Sequence, residues 1–256
     1  LSARRMKRRR EKRARMFARV ALLFCVKFVR AADCTHFLRG MSVWAAPQIS
    51  LYLQKNAHGC LLCRAAQGDN MTNREKLEAA AQRCAACEGC TLCKTSTHLV
   101  YGTGNPEASL VFVGEAPGEK EDLSGIPFVG PAGQLFDLYL DAVGLHREQV
   151  YICNILKCRP PHNRDPLPEE MSACMEHLRE QIKIIAPKLI VCLGRIAAGQ
   201  LIKPDFKVTR EHGVFFEKGQ FTLCGIYHPS ALLRDASKRE DMYRDMKQIA
   251  QRNRQL

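Results

Sequence analysis

Apolar residues in this chain fall into two alternating patterns. Short unbroken runs at 110–113, 150–155, 189–193 and 221–227 are rich in Val, Ile and Leu, as expected of strands covered on both faces. Segments patterned as helices lie between and after them, at 132–143, 169–185, 195–202 and 238–251. A further helix opens in the stretch MTNREKLEAAAQRC, residues 71–84, where Thr72 or Asn73 can cap the first turn. Acidic side chains follow in that turn, and Leu77, Ala80 and Ala81 share one side. This alternation predicts an α/β fold: a three-layer sandwich with a central four-stranded, mainly parallel sheet flanked by helices. In such sheets ligands collect at the carboxyl ends of the strands, so the loops after the four runs are the places to look for chemistry.

The first 70 residues show neither pattern. Ten of the sixteen residues from Arg4 to Arg19 are basic, and residues 20–70 mix apolar and small side chains without a period. Charge sharpens the division. The formal net charge is +13, but residues 1–70 hold 15 basic against 3 acidic side chains, leaving 24 against 23 in residues 71–256. The expected organisation is therefore a basic leader over 1–70, disordered or upstream of a true start at Met71, followed by one catalytic domain over 71–256. A competing reading makes the leader a DNA-tethering arm. The body's own charge says nothing about polyanions, so any nucleic-acid argument must rest on motifs. The apolar stretch 20–29 is broken by Lys27 and is far short of the ~20 residues a membrane-spanning helix needs. Thirteen cysteines in a chain without an export signal point to metal or buried thiols in a reducing, cytoplasmic setting rather than to disulfides.

Four loops carry candidate chemistry. Gly114-Glu115-Ala116-Pro117-Gly118 follows the first strand; its turn brings backbone N–H groups to a ligand, and Glu115 could orient water. Gly125-Ile126-Pro127-Phe128-Val129-Gly130 sets an aromatic ring on a glycine-flanked loop, where it could lie against a base or simply anchor the loop. Tyr151-Ile152-Cys153-Asn154 ends the second strand with a carboxamide that can both donate and accept, suiting a pyrimidine edge or a turn cap. His228-Pro229-Ser230-Ala231-Leu232-Leu233-Arg234 follows the last strand. Its histidine could donate to an oxyanion, its leucines could wedge into a base stack from a loop tip, and Arg234 could meet a phosphate. The cysteines form a separate set. Cys84, Cys87, Cys90 and Cys93 recur every three residues, and Cys158 and Cys174 lie 16 apart. Two clustered and two distant thiolates suit zinc or a [4Fe–4S] cluster, and spacing does not choose between them. Cys153, Cys192 and Cys224 lie within apolar strands and read as buried thiols.

In this order, the pieces resemble the family-4, iron–sulfur uracil-DNA glycosylases from about Cys84 to Gln251. The matching segments are Cys87-x-x-Cys90, VYGTGNP at 100–106, GEAPG at 114–118, GIPFVG at 125–130, YICN at 151–154, KCRPPHNRDP at 157–166 and HPSALLR at 228–234. The resemblance implies a DNA-repair hydrolase that cleaves the N-glycosidic bond of uracil in DNA and carries a [4Fe–4S] cluster. By the family's pattern Cys87, Cys90, Cys158 and Cys174 would bind the cluster, the paired thiols ending twelve residues before Gly102. Phe128 would stack on uracil, Asn154 would read its O4 and N3–H, and His228 would hydrogen-bond O2. Glu115 would position or activate water, Leu232 would fill the gap left in the duplex, and Arg234 would contact its backbone. The expected partner is uracil-containing DNA, bound by a monomer without membrane association. Two other classes compete: a zinc-stapled DNA-binding module, favoured by the cysteine ladder, and an iron–sulfur oxidoreductase, disfavoured by the lack of a Gly-x-Gly-x-x-Gly fingerprint.

Overall fold

A computed structural model describes residues 71–256, which form one compact unit. The expected basic leader, 1–70, lies outside the described residues. Helix α1 (Asn73–Ala85) begins as its sequence requires. Thr72 accepts the Glu75 N–H at 3.3 Å, while the Glu75 carboxylate accepts the Thr72 N–H at 2.7 Å. This reciprocal cap satisfies two donors that the first turn leaves over.

The sheet is built on β2 (Leu110–Gly114), β3 (Tyr151–Asn154), β4 (Leu189–Leu193) and β6 (Phe221–Ile226), paired parallel in the order β3-β2-β4-β6. Successive residues of each strand point to opposite faces. Val111, Val113, Cys153 and Cys192 pack under α1, α4 (Pro168–Ile185) and α5 (Arg195–Leu201). Leu110, Phe112, Ile152 and Val191 pack under α3 (Pro131–Ala142) and α8 (Arg239–Arg254). With both faces covered, a strand has no polar side to show, which is why these four appear in the sequence as unbroken apolar runs.

The sheet has six strands, not the expected four. Short β1 (Thr103–Gly104) pairs antiparallel with β3, and β5 (Phe215–Lys218) forms an antiparallel hairpin with β6. Both escaped the apolar-run criterion for physical reasons. A two-residue strand has no periodicity, and β5 is an edge strand whose Glu217 and Lys218 face solvent. Short helices α2 (Glu119–Ser124), α6 (Val208–Glu211) and α7 (Pro229–Arg234) complete the unit. No helix among the described residues is long and apolar enough to cross a membrane.

The strand order places β3 on one side of β2 and the later strands on the other. The chain thus reverses direction at β2, and such a reversal opens a crevice beyond the carboxyl ends of the strands. Gly114, Asn154 and His228 all lie at that end, since Gly114 is in register with Asn154 and His228 follows β6 by two residues.

Candidate active site

Asn154 is the last residue of β3, and its side chain is buried. Its Oδ1 finds no hydrogen-bond partner among the described residues. Leaving a buried acceptor unmet costs about 1–3 kcal/mol, so such an atom is retained where a ligand is to satisfy it. Its neighbour across the register, Gly114, explains the space beside it. A Cβ at 114 would overlap Asn154 Oδ1 and come within 2.6 Å of Phe128 Cζ. Only a residue without a side chain lets the amide and the aromatic ring border the same cleft.

Phe128 holds a left-handed backbone conformation, φ 56°, with its ring 94% buried. A bulky residue in that region costs about 1–3 kcal/mol and persists only where its surroundings dictate it. Three neighbours do so. Arg147 donates to Pro127 O at 3.1 Å and to Phe128 O, and is itself held by Asp137 at 2.6 Å. Glu121 accepts the N–H groups of Val129 and Gly130 at 2.9 and 2.7 Å. Gly133, in the first turn of α3, leaves room for the Phe128 carbonyl that any Cβ would strike. The ring then rests 5.6 Å from Phe136 and 5.7 Å from His228, centroid to centroid. Arg147→Ala removes both carbonyl bonds and is expected to lower kcat/KM of the reaction at this cleft about tenfold, one to two kcal/mol being the net worth of such bonds near solvent. Arg147→Lys should not restore it, since a single ammonium does not span two carbonyls and a carboxylate; full activity in Arg147→Ala would show that Phe128 needs no clamp.

His228 caps α7, and its backbone and ring geometry define the proton positions. The Ser230 N–H points at Nδ1 at 3.1 Å, and the Ser230 hydroxyl lies 2.7 Å from the same nitrogen. A backbone N–H can only donate, so Nδ1 bears the lone pair and the neutral ring carries its proton on Nε2. Burial, reinforced by the charge of Arg234 and opposed by Glu121, lowers the His228 pKa to about 4. At neutral pH the site therefore holds an uncharged N–H donor. Glu115 follows Gly114 directly and is half-buried; burial raises its pKa, Asp165 adds to the rise, and Arg195 opposes it. The structure thus brings Phe128, Asn154 and His228 to one cleft, and sets Glu115 at the same strand ends toward the Asp165–Arg195 ion pair.

Leu232 is placed differently from expectation. Residues 229–234 form a helix rather than a loop tip, begun by Pro229 in the first turn, where its missing N–H is harmless. Pro229 and Leu232, three apart, share the buried face, and Leu232 is fully enclosed in the core beneath α3 and α8. Leu233, a hundred degrees round, is 48% exposed. The exposed leucine of the pair is Leu233. Arg234 ends the helix and makes no ion pair with any described residue, whereas Arg164 is held bidentate by Glu170 at 2.9 and 2.5 Å.

Six cysteines, Cys84, Cys87, Cys90, Cys93, Cys158 and Cys174, line one cavity between α1, the turn at Thr91–Lys94 and the start of α4, with Lys157 and His177. Gly89 N–H approaches Cys87 Sγ at 3.4 Å and Lys157 N–H approaches Cys174 Sγ at 3.3 Å, contacts that favour thiolate sulfur. Burial pushes the free thiols up, Cys174 to about 11 and Cys84 to about 12. Cys93 donates to Cys90 O at 3.0 Å. Among the described residues no three His, Cys, Asp or Glu side chains are set to hold a single metal ion. A lining that holds six cysteines is chemistry for soft metals, zinc or iron–sulfur.

Sequence reasoning missed Arg147, Glu121 and Lys157. No local motif marks Arg147 or Glu121, which act on backbone atoms brought close by the fold; Lys157 opens the matching segment at 157–166, but nothing in that string shows its Nζ turned to the Asn154 carbonyl.

Residues 101–251 match the model of the uracil DNA glycosylase superfamily. The chain is 45% identical over 185 residues to the type-4 uracil-DNA glycosylase of Archaeoglobus fulgidus, covering 69% of this chain and 93% of that protein. It is 44% identical over 168 residues to the type-4 uracil-DNA glycosylase of Thermotoga maritima, covering 65% and 88%. A type-5 uracil-DNA glycosylase of Thermus thermophilus matches at 34% over 119 residues, 40% of this chain and 53% of that protein. With most of the length of two such relatives matched at this identity, and with the cleft assembled at the strand ends, the chain belongs to the type-4 uracil-DNA glycosylases of the uracil DNA glycosylase superfamily.

Proposed function

We infer that this protein excises uracil from DNA by hydrolysing the N-glycosidic bond, acting as a monomer on a nucleotide turned out of the stack. The observation that supports this most directly is the orphaned Oδ1 of Asn154 beside the Phe128 ring. Uracil offers an N3–H to that oxygen and an O4 to the amide nitrogen, while its face lies along the ring. Cytosine presents the reverse pattern at both positions and would leave the buried amide mispaired.

As the glycosidic bond breaks, the sugar gains oxocarbenium character and the base gains negative charge, chiefly on O2. The Nε2–H of neutral His228 is the donor for that charge, already oriented by Ser230 before the bond begins to lengthen. Glu115, with its pKa raised by burial, is suited to hold the attacking water on the sugar side. Turning the base out costs a few kcal/mol, offset by backbone contacts and by an apolar side chain entering the vacated space. Leu233 and Arg234 sit together for that role. Leu233→Ala is expected to lower excision from duplex DNA about tenfold while sparing single strands. Leu232→Ala should instead destabilise the fold by about 2–5 kcal/mol, as core truncations do. Equal effects of both substitutions on duplex and single-stranded substrates would return the wedge to neither.

Cys87, Cys90, Cys158 and Cys174 would hold a [4Fe–4S] cluster, and the six-cysteine lining of their cavity fits that group. Those residues, holding it, would join the segment after α1 to the segment after β3; hydrolysis transfers no electrons, so the part of such a group would be structural. Cys158 follows Asn154 by four residues, which makes the tie relevant to the pocket.

The test is incubation with an oligonucleotide bearing one uracil, followed by alkali. Strand cleavage at uracil, absent with cytosine or thymine, is expected, from a brown protein with iron in stoichiometric amount. Binding to DNA without alkali-labile sites would instead favour the zinc-stapled binding module.

A further inference from the structure

Lys157 is a buried basic side chain with no carboxylate partner among the described residues. Its side chain is fully buried, and among the described residues no acidic oxygen pairs with it. Its Nζ donates to Asn154 O at 2.7 Å and to Gln181 Oε1 at 2.5 Å, and stands 5.6 Å from the centre of the Tyr101 ring. All three partners are neutral. Two of them are themselves spoken for, since Gln181 donates to Tyr101 O at 2.8 Å and to Tyr151 OH at 3.2 Å. Hydrogen bonds of this kind satisfy the donors but not the charge, and an uncompensated buried cation is costly.

Anionic character can reach Lys157 from one side. The residue lines the cysteine cavity, its own N–H approaches Cys174 Sγ at 3.3 Å, and its charge acts on Cys84, Cys153 and Cys174. Four thiolates around a cubane of two ferric and two ferrous ions leave the assembly with a net negative charge. We propose that Lys157 is the buried counter-cation of the cysteine-bound cluster and, through its bond to the Asn154 carbonyl, the strut that couples occupancy of that cavity to the position of the uracil-reading amide. The proposal rests on the iron–sulfur reading given above. It makes Lys157 a positioning residue: it touches neither substrate nor reacting atoms, and acts through Asn154.

Two consequences separate this role from that of an ordinary buried hydrogen-bond donor. Removing the cation should hurt the iron-loaded protein and not the iron-free one, because the charge is unmatched only when the cluster is gone. It should also make the cluster harder to reduce, since a nearby positive charge stabilises the more negative, reduced state.

The experiment is a cycle on purified holoprotein. Wild type, Lys157→Met and Lys157→Gln are compared for iron per protein, rate of iron loss to a chelator, cluster reduction potential, and melting temperature before and after iron removal. The neutral variants are expected to lose iron at least tenfold faster and to show a more negative potential. Their melting temperatures should fall when iron-loaded but not when iron-free, so the gap between the two forms narrows. Lys157→Arg, which keeps the charge, should recover most of the wild-type gap. Should Lys157→Met be insoluble, Lys157→Gln, which keeps a donor for Asn154 O, decides the matter. An unchanged potential and iron-loss rate, with both forms destabilised equally, overturns the proposal while leaving the cluster in place. Wild-type protein that carries no iron at all overturns the cluster reading itself, and this proposal with it.

Discussion

Replacing His228 by Ala lowers kcat for uracil excision by about 10²–10³-fold and leaves KM nearly unchanged, the result expected for loss of one preorganised donor worth about 3 kcal/mol in the transition state. The reasoning rests on where the proton is. Ser230 N–H and hydroxyl both address Nδ1, so the proton is already on Nε2 and there is no cost of choosing a tautomer during the reaction. Ground-state uracil has little charge on O2, so the bond gains its strength as the glycosidic bond opens; that is why kcat should suffer and KM should not. The pH dependence follows with a definite sign. Burial lowers the folded-state pKa from 6.5 to about 4. Between these values the unfolded chain takes up a proton that the folded chain refuses, so acid destabilises the fold across this window and the full contribution is present above 6.5. Activity should accordingly show no loss through pH 6–7 from His228 itself, and melting temperature should fall with acid below about pH 6.5 more steeply in wild type than in His228→Gln. A kcat profile that collapses on a group titrating near 6.5 would mean that the imidazole is solvated and that the donor argument is wrong.

The strand ends were legible in the sequence because the physics there is local. β2, β3, β4 and β6 are covered on both faces, and full burial writes itself as an unbroken apolar run. Asn154, Phe128 and His228 stand out for the complementary reason, polar or glycine-flanked residues placed where such runs stop. What escaped was whatever depends on partners distant in sequence. Leu232 and Leu233 are indistinguishable as letters; a helical turn begun by Pro229 puts one in the core and the other in solvent. The proline and serine after His228 are a helix start, a signal present in the sequence but outweighed by the expectation of a loop. Nothing in the sequence shows that Arg164 is held by Glu170, six residues on. Arg147 acts on carbonyls nearly twenty residues away, and Lys157 on a charge balance that exists only once the cavity is assembled. In each case the residue type is consistent with the role, but only three-dimensional proximity assigns it.

Changing Asn154 to Asp should narrow the preference for uracil over cytosine by about 10²–10³-fold, the change in selectivity exceeding the loss of uracil excision. The amide now offers one acceptor and one donor pair to a buried edge, and uracil matches both. An aspartate in that place is enclosed by Phe128, Gly114 and strand backbone, with no cation aimed at its carboxyl group: the Lys157 ammonium is turned to the main-chain oxygen instead. Desolvation therefore favours the protonated acid. Protonated, it keeps an acceptor and gains an O–H donor, which can serve cytosine N3 and its exocyclic amine; ionised, it has acceptors alone and repels uracil O4. The ionised state penalises uracil, while the neutral acid, whose proton can sit on either oxygen, accommodates both bases, so excision of cytosine should appear or rise as pH falls. Asn154→Ala separates recognition from exclusion, because it removes the favourable pairing with uracil without offering cytosine anything. Measured with oligonucleotides bearing a single uracil or cytosine, an unaltered ratio in Asn154→Asp would place base discrimination elsewhere in the cleft and leave the orphaned oxygen without a purpose.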